Sequence, residues 1–137
     1  MAITAEVCSV YVDGKEEALR HKWIESERAQ RDLGDTAIRQ WIRDHWNNYL
    51  RARWVEHIQG VRFWKELDRG DFGLLQREFH DDQVLLDRIL DRLKMGRENL
   101  DIINWAISWK LPMDRVISVL EALDINSRRL VARFEHQ

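Results

Sequence analysis

The sequence predicts an all-α protein: about six helices in a compact, bundle-like array, one of them long and rich in tryptophan. Three observations point there. Apolar residues recur at spacings of three and four along most of the chain, the period of one helix face. A single Pro (Pro112) and six Gly among 137 residues leave little room for the turns that many short strands need. Residues 3–12 are the one strand-like stretch, and no second stretch offers itself as a pairing partner.

Composition sets the frame. Hydrophobic residues make up 45% and charged residues 34%, the balance of a folded chain rather than a disordered one. One helical domain over residues 1–137 is expected at this length. Cys8 is the only cysteine, which rules out an internal disulfide or thiolate cluster and fits a reducing compartment. No signal-peptide pattern and no run of membrane-spanning length is apparent, so a cytoplasmic protein without a membrane partner is expected. The net charge of −2 argues against a strongly electrostatic nucleic-acid binder.

In chain order, residues 3–12 mix β-branched alternation with a helical stripe of Val7, Tyr11, Gly14 and Ala18, and helix is the favoured reading. Lys15–Leu33 places Ala18, Leu19, Trp23 and Ile24 on one side. Gly34 suits the residue after a helix, and Asp35 or Thr36 a cap for the next. That next helix is the longest. Ile38, Trp41, Ile42, Trp46, Tyr49, Leu50, Trp54 and Ile58 carry it to Gly60, roughly 36 Å at the usual rise. Residues 60–73 are the least regular, with a short helix expected around Phe63–Asp68. Leu74–Phe79 and Asp82–Met95 read as one helix or two, stopped by Gly96. The helix after Asn99 is apolar on most sides and is expected to be central. Pro112 opens another, with Val116, Leu120 and Leu123 facing inward. A last helix, capped by Asn126 or Ser127, would carry Leu130, Val131 and Phe134.

The most informative feature is tryptophan: seven in all, five of them (Trp23, Trp41, Trp46, Trp54, Trp64) within residues 23–64. The surrounding segment, residues 20–69, is also the most basic, with eleven Lys/Arg against eight acids. Aromatics and Arg are enriched at interface centres. If three of these indoles stay outside the core, they leave about 600 Å² of aromatic surface, near the limit of what monomers expose. The expected function is therefore a non-enzymatic interaction or scaffold protein, a homo-oligomer or a subunit of a larger assembly. Its partner surface would be built from Trp46, Arg51, Arg53, Trp54, Arg62, Phe63 and Trp64, with Trp23 and Trp41 in the core. His45, Asn48 and Arg53 lie beside the apolar stripe and would need partners if buried.

Rival readings rest on smaller motifs. Residues 103–123 resemble a bacterial helix-turn-helix through Ala106, Leu111, Val116 and Val119. Lys110 stands where that unit has glycine, and the would-be reading helix exposes Asp114 and Glu121, poor residues for approaching phosphates. His80-Asp81 is similar to the doublet of helical metal-dependent phosphohydrolases, which also need an earlier His and a later Asp; His57 lies 23 residues before it and Asp124 lies 43 after. No cofactor and no metal site is predicted. The residues that would have to serve a metal are His21, Glu25, His45 and Glu56, for which salt bridging on a solvated face is the plainer account. The Trp and His content also suits a flat aromatic ligand such as a porphyrin. Arg69-Gly70-Asp71 and Asp71-Phe72-Gly73 match well-known tripeptides but read here as turn residues.

Overall fold

The computed structural model describes residues 6–127 and 129–133. They form an all-α fold. Strand β1 (Val7–Cys8) leads into α1 (Val10–Ala29) and α2 (Asp35–Gln59). Strand β2 (Phe63–Trp64) and a loop follow, then α3 (Leu74–Glu78), a 3₁₀ turn (His80–Asp82), α4 (Gln83–Lys94), α5 (Asn99–Ser108), α6 (Met113–Leu123) and a second 3₁₀ turn (Ile125–Ser127). No helix among the described residues is long and apolar enough to cross a membrane.

The hairpin of α1 and α2 organises one side of the molecule. Small residues Gly14 and Ala18 are buried on α1, which lets α2 approach closely. Four of the first N–H groups of any helix lack intrahelical partners. Here Ser9 caps α1 by accepting from Val12 N–H, and Glu66 accepts from Val10 N–H at 2.8 Å and from the Ser9 hydroxyl. A carboxylate at this end also opposes the positive pole of the helix dipole. Helix α2 buries Ala37, Trp41, Trp46, Leu50, Trp54, Val55 and Ile58. The rest of the core comes from Leu75, Phe79, Leu86, Ile89, Leu90, Leu93, Ile102, Ala106, Val116 and Leu123 on the later helices.

Helix ends share one device. α1, α2, α4 and α5 each close with paired backbone bonds around a left-handed residue, the arrangement that satisfies orphan C-terminal carbonyls. Gly60 and Gly96 supply that residue for α2 and α4. Gln30 (φ 55°) and Lys110 (φ 56°) do so without glycine, at a cost of about 1 kcal/mol each.

Several expected elements are corrected. Residues 7–8 form a strand, not the start of a helix, because Phe63–Trp64 provides the parallel partner that the sequence did not reveal. The same pairing replaces the expected helix around Phe63–Asp68. Helix α1 stops at Ala29, and Gly34 precedes α2 as its cap position instead of ending α1. α5 is peripheral: Leu100, Ile107 and Trp109 are exposed, because its main packing is against α6. No last helix forms over residues 129–133. These run as an irregular strap whose carbonyls accept from Trp46 Nε1 (Leu130, 2.7 Å) and the Tyr11 hydroxyl (Val131, 3.2 Å). Phe134 lies outside the described residues.

Candidate functional site

The three tryptophans of the expected partner surface lie in the interior. Trp54 and Trp64 are fully buried and Trp46 is 4% exposed. Each indole N–H is satisfied inside the protein: Trp46 by Leu130 O, Trp54 by Leu123 O at 2.7 Å, and Trp64 by Glu56 Oε2 at 3.4 Å. The end of α6 and the strap cover what α2 alone would leave bare. The arginines are drawn in too. Arg51 bonds Glu98 and the Arg97 carbonyl, and Arg53 pairs with Glu56 at 2.6 Å while stacking over Tyr49 and Trp64. Arg62 remains exposed beside Trp64, and Phe63 is half-buried. Trp41 is buried as expected, but Trp23 is not: it is 66% exposed. At 100° per residue Trp23 lies about 140° around α1 from buried Ala18, on the outward side. His45 and Asn48 are exposed, so they need no buried partners.

Three chemistry-bearing clusters remain. The first is His57, fully buried, with Asp68 and Asp71; their ligand atoms lie within 4.8 Å of one another. Backbone geometry builds the cluster. Gly60 and Gly73, both at positive φ, approach so closely that a Cβ on Gly60 would sit 3.1 Å from Gly73 Cα. That contact folds the 60–73 loop back on the end of α2. Trp64 N–H donates to His57 Nδ1 at 3.0 Å. The imidazole proton is therefore on Nε2, which donates to Asp68 Oδ1 at 3.2 Å and faces Asp71 Oδ1 at 3.5 Å. The two carboxylates also accept from Gly70 and Arg69 N–H, and Phe63 and Phe72 wall the ring at 5.0 and 5.3 Å. A metal on Nε2 would have to displace that proton while Nδ1 is already an acceptor. The arrangement is that of a structural staple.

The second cluster is His80 with Asp81 and Asp82. His80 Nδ1 lies 3.0 Å from the Arg77 carbonyl, while Arg115 reaches Asp81 at 3.2 Å and Asp82 at 3.3 Å. The doublet is thus tied to α6, and His57 is committed elsewhere. The same arginine bears on the helix-turn-helix reading. α5 and α6 do form an αα-hairpin with Ala106, Val116 and Val119 buried and Lys110 in the left-handed turn conformation. However, Arg115 is the only cation on α6 and is engaged, leaving Asp114, Ser118 and Glu121 outward.

The third is an open groove of about 420 Å³ between α1 and α2, lined by Glu17, His21, Ile24, Trp41, His45 and Tyr49 among others. The rings of His21 and His45 stand 5.9 Å apart at 62°. His21 Nε2 is sealed from solvent and has no hydrogen-bond partner. Burial pushes the Tyr49 phenol well above its usual range; its hydroxyl donates to the Val10 carbonyl at 2.8 Å. The hydrogen bond from Arg43 holds the Asp44 carboxyl below its usual range, and the proximity of His45 and His21 works in the same direction. Of the four residues considered for a metal, only these two histidines meet. Glu25 pairs with Arg28 at 3.3 Å and Glu56 with Arg53. The convergence of residues 24 positions apart on different helices depends on hairpin register, which spacing along one helix does not encode.

No family model, curated protein or solved structure matches the chain.

Proposed function

We propose that the protein is a non-enzymatic helical interaction module that self-associates through the outward face of α1. The observation that carries this reading is the exposure of Trp23 at 66%. Val12, Leu19 and Trp23 fall within about 20–40° of one another around the helix, and all three are exposed. Together they present on the order of 300 Å² of apolar area, the range in which a patch on a monomer marks a contact surface. Glu16 and Glu27 share the stripe, with Arg20 at its flank, so two copies have both signs of charge to match. The area falls short of the roughly 800 Å² per partner of a standard interface, which makes the association weak and concentration-dependent.

The fate of the other reactive side chains supports an interaction role over a catalytic one. His57, Asp81, Asp82 and Glu56 are each held by another group of the protein. Light scattering over a wide concentration range tests the reading. The expected result is a mass that rises above one chain with concentration, and stays at one chain for Trp23→Ala with an unchanged helical spectrum. A wild-type protein that remains a single chain throughout would refute it.

A further inference from the structure

We infer that His21 of α1 and His45 of α2 form a two-histidine site for a borderline divalent cation, Zn²⁺ in the first place. The case starts from an unexplained atom. His21 Nε2 is closed off from water and unpaired, and a buried nitrogen without a partner is costly to maintain. Beside it stands a second imidazole at 5.9 Å between ring centroids. A metal–nitrogen bond of about 2.0–2.1 Å places an ion roughly 3.2 Å from each ring centre. Two imidazoles on one tetrahedral ion then stand about 5 Å apart, and at most about 6.4 Å. The observed spacing lies inside that reach. His45 is exposed and both rings line the open groove, so an ion entering there would be held once the His21 ring turns its closed-off Nε2 toward it.

The surroundings suit a cation. Glu17 lines the same groove one turn before His21. Its present partner is Arg20, at 3.2 Å in an exposed pair of the kind that contributes little. Releasing it would offer a carboxylate as third ligand, with water completing the shell. Asp44 adds negative charge next to His45. Imidazole nitrogen is a borderline donor, which selects Zn²⁺ and its transition-metal neighbours over Mg²⁺ or Ca²⁺. The His57 ring offers no such opening, because both its nitrogens are already engaged, Nδ1 with Trp64 N–H and Nε2 with Asp68.

Titration calorimetry of chelator-treated full-length protein with Zn²⁺ alone tests the inference. One ion per chain should bind. Loss of even an outer-shell partner weakens metal sites by about 10–100-fold, so His45→Asn and His21→Asn should each weaken binding by more than about tenfold. His80→Asn, at an exposed histidine outside the groove, should leave it unchanged. His45 is at the surface, so His45→Asn keeps the test open if His21→Asn folds poorly. Absence of binding beyond that of a lone exposed histidine, or binding that follows His80 and ignores His45, would overturn the site.

Discussion

Replacing Trp54 by Phe isolates one link between helices. Trp54 is fully buried on α2, and its indole N–H donates to the Leu123 carbonyl at 2.7 Å. Leu123 is the last residue of α6, where carbonyls lack intrahelical partners. Phe keeps most of the ring and removes the donor, leaving a dry, unpaired carbonyl that costs about 1–3 kcal/mol. The missing part of the indole opens a void that adds about 1 kcal/mol. The expected loss is about 2–4 kcal/mol, a large share of the ~5–15 kcal/mol of a typical domain. Trp23→Phe, on the outward face of α1, should change stability by less than about 0.5 kcal/mol. Urea unfolding followed by far-ultraviolet circular dichroism measures both without relying on tryptophan fluorescence. A loss below about 0.5 kcal/mol for Trp54→Phe, or equal losses for the two variants, would refute the assignment of Trp54 to the interior and Trp23 to the surface.

Alkali should act through Tyr49. Its phenol is raised in the folded state by burial first of all, so the neutral form is favoured by folding. That contribution is fully present below the unfolded tyrosine value of about 10 and is lost as pH rises beyond it. Stability should therefore fall in alkali less steeply for Tyr49→Phe than for the wild type, as read from urea midpoints across the alkaline range. His57→Leu should cost about 2–4 kcal/mol, because the buried Trp64 N–H loses its acceptor, while Asp68→Asn, at an exposed partner, should cost less than about 1 kcal/mol. The check is denaturant unfolding of both variants, and similar losses would contradict the staple.

The helical class and most helix positions were legible, because 3.6-residue periodicity and the stops at Gly60 and Gly96 are local signals. The errors have a common origin in contacts between distant segments. Val7–Cys8 is a strand only because Phe63–Trp64 lies beside it. Trp46 and Trp54 read as surplus aromatic area because nothing local announces that the Leu130 and Leu123 carbonyls will cover their polar edges. The α1–α2 groove shows the same limit. His21 and His45 were each visible as candidates, but their meeting is fixed by hairpin register through Gly14 and Ala18. Trp23 went the other way: it follows the helical period of Leu19 and Ile24, yet the buried side of α1 is set by the small residues, not the large ones.

The strap over residues 129–133 has a consequence for the order of assembly. Its bonds join residues 84 and 120 positions apart, Leu130 to Trp46 and Val131 to Tyr11. Closing loops of that size carries an entropic penalty that a helical hairpin escapes. α1 and α2 can dock early, while these two carbonyls arrive once α6 has found its place. In unfolding they should leave first, uncovering one edge of Trp46 before the interior gives way. Hydrogen exchange should register this as an opening of lower free energy than that of α2 itself.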